Sequence, residues 1–151
     1  MQTYPNGLDC VWLATDRNGH LGAFVTGGIG PIPKSVLSSA SVSIENIEEM
    51  VCALPQVSDV RLLVKMKRPD DFVEMAQRGL FVYDWCDVHR TASEFTHAYE
   101  PIAVPLNPIS ANLLPEVLMK VALATKLINV AFVEMQVLNI AAVLECCDAN
   151  H

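Results

Sequence analysis

Cation is what this chain is short of. Its 151 residues hold 10 Lys and Arg against 17 Asp and Glu, a formal net charge of −7 with a pI near 4.9. That balance argues against a phosphate-backbone ligand, because nucleic-acid binding rests on Lys and Arg displacing counterions. The shortage is uneven. Residues 1–78 carry nine acids and seven bases, whereas residues 79–151 carry eight acids and three bases. Arg61, Lys65, Lys67 and Arg68 form the one local basic cluster, without the interleaved aromatics of a nucleic-acid reader, and read as solvent-facing charges. No CxxC spacing occurs among Cys10, Cys52, Cys86, Cys146 and Cys147, so neither a disulfide framework nor a zinc ribbon is expected. The opening Met1-Gln2-Thr3-Tyr4-Pro5 has neither a basic start nor an apolar core, which points to the reducing cytoplasm. A long apolar run free of polar residues is missing too. Leu127 to Leu144 contains Asn129, Glu134, Gln136 and Asn139, and an acid at mid-membrane alone costs roughly 2.5–3.5 kcal/mol, so no membrane span is expected.

Apolar material is plentiful, with 52% hydrophobic and 18% charged residues. At this length a single domain over residues 1–151 buries about 70% of its surface on folding, enough for one core. Leu8 to Thr15 and Leu21 to Thr26 are β-rich runs around Asp16-Arg17-Asn18-Gly19-His20, in which Asn and Gly supply the positive φ of a hairpin turn. Gly27 to Pro33 cannot continue the ladder. Ser43 stands as an N-cap before Ile44, Ile47, Met50, Val51 and Leu54 at helical spacing. Val60 to Met66 reads as a strand, Pro69 to Gly79 as a short helix with acids at its start, and Leu80 to Trp85 as a strand. Tyr99 to Leu106 reads as a proline-bounded edge strand, Leu114 to Leu127 as a helix and Val130 to Leu138 as a strand of period two. The competing reading of the last stretch is one helix from Pro115 to about Cys147. The order lacks a βαβ repeat, so the expected class is α+β: a mixed, largely antiparallel sheet opened by a β-hairpin, with about three helices packed on one face.

Candidate sites are few. Gly28 to Ser35 reads G-I-G-P-I-P-K-S and imitates a phosphate-binding loop, but Pro33 stands where the second glycine belongs and Pro31 and Pro33 each delete a backbone donor, so no nucleotide cofactor is expected. Asp84, Trp85, Cys86, Asp87 and His89, with Glu94, His97 and Glu100, form the densest run of ionisable groups. In an extended strand those side chains split between two faces, so no face gathers the ligands zinc needs, and a polar loop is the simpler account. Cys146, Cys147, Asp148 and His151 sit at the terminus and make a poor metal site. Met66, Met75, Met119 and Met135 read as core filler. No nucleophile–base signature appears, so no catalytic residue, metal or cofactor is assigned. Glu45, Glu48 and Glu49 at one helix start and Asp70, Asp71 and Glu74 at another would be exposed, where they suit the helix dipole and can also steer a basic protein.

The run from Asp9 to Pro33, W-L-A-x-D-x-x-G-H followed by A-F-x-T-G-G-x-G-P-I-P, together with G-L-F-V-Y-D at Gly79 to Asp84 and Leu114-Pro115, resembles small bacterial immunity proteins of polymorphic or contact-delivered toxin systems. The likeness covers most of residues 9–138, and the chain beyond Asn139 departs from it. The resemblance implies a non-enzymatic cytoplasmic protein whose partner is a cognate toxin domain, with no catalytic residues to carry over. The partner-binding candidates are therefore Glu45, Glu48, Glu49, Asp70, Asp71, Glu74, Asp84, Trp85, Asp87 and His89. Two other readings stand beside it: a small metal-dependent enzyme or metal-binding protein using Asp84, Asp87, His89 and His97, and a homo-oligomer assembled through the apolar C-terminal half.

Overall fold

A computed structural model describes residues 2–38, 42–86, 98–140 and 146–147. The hairpin opens it. Strand β1 (Val11–Asp16) pairs antiparallel with β2 (Leu21–Val25), from Val11 opposite Val25 to Thr15 opposite Leu21. Gly19 turns the chain at φ +79°, and Asp16 ties the turn by accepting the N–H groups of Asn18 (2.9 Å) and His20 (3.0 Å) on Oδ1. The remaining strands are β3 (Ile32–Pro33), β4 (Val60–Leu62), β5 (Phe81–Cys86), β6 (Ala98–Pro105), β7 (Lys126–Leu127) and β8 (Cys146–Cys147). Six of them form a sheet in the order β4-β6-β5-β2-β1-β7, in which β5 runs parallel to β2 and β7 parallel to β1, the other three pairings being antiparallel. Strands β3 and β8 form a separate antiparallel pair. Helices α1 (Lys34–Leu37), α2 (Ile47–Cys52), α3 (Asp70–Gln77) and α4 (Glu116–Leu123) complete an α+β architecture: α2 and α4 lie on β1, and α3 on β5 and β6. No described helix is long and apolar enough to cross a membrane.

One face of the sheet is aromatic. Trp12 stacks on Phe24 (4.1 Å between ring centroids) and Phe24 on Tyr83 (4.8 Å), each pair lying directly opposite across neighbouring strands. Tyr99 meets Trp12 edge-on, and Phe132 closes the cluster over Tyr83 and Phe81. Trp12, Phe24, Tyr83, Tyr99 and Phe132 are all buried, each worth roughly 1.5–3 kcal/mol of transfer free energy. The polar atoms of Trp12 and Tyr99 are used: Trp12 Nε1–H donates to Tyr99 Oη (3.1 Å), and the Tyr99 hydroxyl donates to the Pro31 carbonyl (2.9 Å). Gly22 lies beneath, where a Cβ would stand 2.7 Å from the Phe132 ring. The alternate residues Val11, Leu13, Ala23, Val25 and Val82 turn the other way and are buried as well.

The fold departs from the sequence expectation in several places. The strand read from Val60 to Met66 shrinks to Val60–Leu62, because Lys65, Lys67 and Arg68 beyond it are exposed and have no face to bury. The proline-bounded strand β6 is not at the edge but lies between β4 and β5. It tolerates Pro101 at a bulge: Tyr83 opposes Pro101 whereas Val82 opposes Ala103, so the ladder skips one residue where the missing N–H falls. The strand expected at Val130 to Leu138 is instead a 3-10 turn, Phe132–Glu134, ending at Met135 with φ 53°. The Phe132 N–H goes to Asp16 Oδ2 (2.8 Å) rather than to a ladder, and Leu138 reaches the sheet only as a bridge to Tyr99. The competing long helix fails too, since α4 ends at Leu123. Ser43 precedes the first helical turn without capping it; the Ile44 N–H donates to Gln2 Oε1 (2.9 Å).

Candidate partner-binding surface

Helices α2 and α3 pack on each other and place their acidic starts together. Glu45 lies in the 3-10 turn Ile44–Asn46 that leads into α2, Glu48 and Glu49 occupy the first turn of α2, and Asp70 and Asp71 the first turn of α3. Acids here oppose the positive end of each helix dipole, which is why the sequence tolerates them locally. Their convergence is tertiary. Burial, followed by the charges of Asp71, Asp9 and Glu74, pushes the Glu48 carboxyl above the ordinary carboxylate range. Burial, followed by Glu45, Asp9 and Glu48, pushes the Cys10 thiol up to about 11, and burial with Glu74 and Glu48 does the same for Cys52. Both thiols therefore stay protonated at neutral pH and are poor nucleophiles. Asp9, just ahead of β1, is the member that sequence reasoning missed; its Oδ1 accepts the Gly27 N–H (2.9 Å). Among the described residues, none of Asp9, Glu45, Glu48, Glu49, Asp70, Asp71 and Glu74 belongs to an ion pair; Arg17–Glu134, His20–Asp16 and Lys120–Glu116 lie elsewhere.

The opposite ends of the same two helices carry a cation. Arg78 follows α3 and donates from Nε to the Leu54 carbonyl (3.0 Å), from Nη2 to that of Cys52 (2.8 Å) and from Nη1 to that of Glu74 (3.0 Å). Its charge answers the terminal carbonyls of α2 and α3 together. Gly79, at φ +95°, then lets the chain leave for β5, with Ile109 pressed so close that a side chain would not fit. Beside Arg78 opens an apolar cavity of about 120 Å³ lined by Leu54, Val57, Ile109, Leu113 and Leu114.

The other candidates lie apart from this surface or outside the described residues. Asp84 is only 9% exposed, held inside β5 opposite Glu100, so it does not present the surface carboxylate that the sequence reading placed in a loop. Trp85 is half-buried against Tyr99 (5.3 Å). Asp87, His89, Glu94 and His97 lie outside the described residues. The glycine–proline loop is ordered and has spent its donors. Gly27 N–H goes to Asp9, Gly28 N–H to Thr26 Oγ1, and the Ile29 and Gly30 N–H groups to the Thr26 carbonyl. A phosphate would find no free N–H along these four residues. Among the described residues, no three His, Cys, Asp or Glu side chains come together to hold a metal ion. Comparison of the chain with protein-family models, with curated proteins and with solved structures returns no match.

Proposed function

We propose that this chain is a non-enzymatic protein-binding domain of the immunity type, which binds a cognate bacterial toxin domain and neutralises it. One observation carries the reading. Glu48 is half-buried and lies near carboxylates from two other segments, Asp9 and Asp71 with Glu74; burial first, and then Asp71, Asp9 and Glu74, raise its carboxyl, and among the described residues no cation pairs with any of these four. Gathering like charge costs free energy that solvent only partly screens, and a basic partner recovers it. An electrostatically complementary partner would also be captured fast, which suits a protein that must intercept a toxin.

The test is to co-express the chain in a bacterial host with the toxic domain of a large open reading frame adjoining its own gene. Growth should be restored, and the purified pair should form a complex whose affinity falls by about tenfold or more as salt screens the interface. Unrestored growth together with no complex at low salt removes the proposal.

A further inference from the structure

Strand β4 ends the six-stranded sheet on one side, and its register on β6 decides which of its backbone groups are spent. Asp59, Arg61 and Leu63 face β6: the Leu63 N–H donates to the Ile102 carbonyl (2.8 Å), and the Asp59 carbonyl accepts the Leu106 N–H (2.9 Å). In an antiparallel ladder the alternate residues, Val60 and Leu62, point their N–H and C=O groups the other way. Among the described residues no strand pairs with that side, so the edge is open. Its charge has one sign. Arg61 is exposed on the strand, Lys65, Lys67 and Arg68 are exposed just past it, and among the described residues none of the four belongs to an ion pair. No acid falls between Asp59 and Asp70. Leu62, 37% exposed, adds apolar surface to the same edge. Cations on an edge strand discourage pairing with a second copy, since Arg61 would then meet its own counterpart across the new ladder. An acidic strand meets no such barrier.

We infer that β4 accepts an extended, acidic segment of a partner protein as a further strand of the sheet. Main-chain hydrogen bonds to Val60 and Leu62 hold the segment, and Arg61, Lys65, Lys67 and Arg68 select it by its carboxylates. Antiparallel addition, the more stable pairing, sets its acids ahead of its extended residues, because Lys65, Lys67 and Arg68 follow the C-terminal end of β4. This edge is separate from the acidic surface of α2 and α3. The two take ligands of opposite charge, so the failure of either leaves the other standing.

The test follows backbone amide exchange by NMR in the full chain, with three synthetic peptides in which three leading residues precede alternating Val and Thr. The leading residues are Glu in the first peptide, Gln in the second and Lys in the third. The Glu peptide should bind with a Kd on the order of millimolar and, at about ten times that concentration, slow exchange of the Val60 and Leu62 amides about tenfold. The Gln and Lys peptides should not. Leu62→Pro removes an outward N–H while sparing the bonds to β6, as proline does on an edge, and should abolish the protection of Val60. The double change Lys65→Glu, Lys67→Glu, at two exposed positions, should reverse the preference from the Glu peptide to the Lys peptide. Shifts confined to Lys65, Lys67 and Arg68 with no slowing at Val60 and Leu62 would reduce the contact to charge alone and overturn the inference. Equal protection by all three peptides, or undiminished binding to Leu62→Pro, overturns it too.

Discussion

Two carboxylates in this molecule lie at opposite extremes of electrostatic satisfaction. Asp16, at the hairpin end of the sheet, has a fully buried side chain, and its two oxygens accept N–H groups from Asn18, His20 and Phe132. Glu48, at the start of α2, sits half-buried among Asp71, Asp9 and Glu74, and among the described residues it has no cation. The first charge holds the fold together, because a buried anion persists only where donors surround it. The second is tolerated by the fold and used by nothing within the described residues. A charge that the molecule does not need for itself is the better candidate for an external role.

The comparison breaks first at Asp16. Asp16→Ala strands three backbone donors and unties the turn from the Phe132 segment that caps the aromatic face, so urea denaturation should show a loss of about 3 kcal/mol. A loss within error would mean that the hairpin end does not depend on its carboxylate. Arg78→Ala comes next, since it releases the carbonyls of Cys52, Leu54 and Glu74 at partly exposed helix ends, and should cost about 2 kcal/mol. Arg78→Lys should recover only part of this, because an ammonium cannot reproduce the planar fork. Full recovery by Lys would show that charge alone, and not its geometry, matters there.

Much of this was legible in the sequence, and the part that was not has a common cause. Asn18-Gly19 announced the hairpin, and acids ahead of Ile47 and after Pro69 announced helix starts, because those signals act within a few residues. Asp84 was misjudged as a surface group because strand alternation says which side chains share a face and not what covers that face. Val130 to Leu138 had the right apolar residues for a strand, yet Asp16, more than a hundred positions earlier, claims the Phe132 N–H and turns the chain away. Asp9 joining Glu48, and Leu54 meeting Ile109 and Leu113 around one cavity, are likewise products of tertiary assembly. Local spacing could place the acids on their helices, but only the packing of α2 against α3 could bring them together.

The smallest effect is the most discriminating, because its sign is reversed. The folded state raises the Glu48 carboxyl above its ordinary value of 4.5, through burial first and then Asp71, Asp9 and Glu74, so folding favours the protonated form. That contribution is complete below 4.5 and is lost as pH rises through the raised value, which leaves the neutral-pH protein carrying the repulsion. Glu48→Gln abolishes the proton dependence. Its stability should match the parent's at acid pH and exceed it at neutral pH by less than about 1 kcal/mol, since solvent screens a half-exposed group. Added salt should shrink the gap. The same substitution should weaken binding of the basic partner, so stability and binding move in opposite directions, whereas Asp16→Ala lowers stability. A Glu48→Gln protein that is less stable at neutral pH would place Glu48 with Asp16, as a charge the fold requires, and would remove the reason to look for its partner outside.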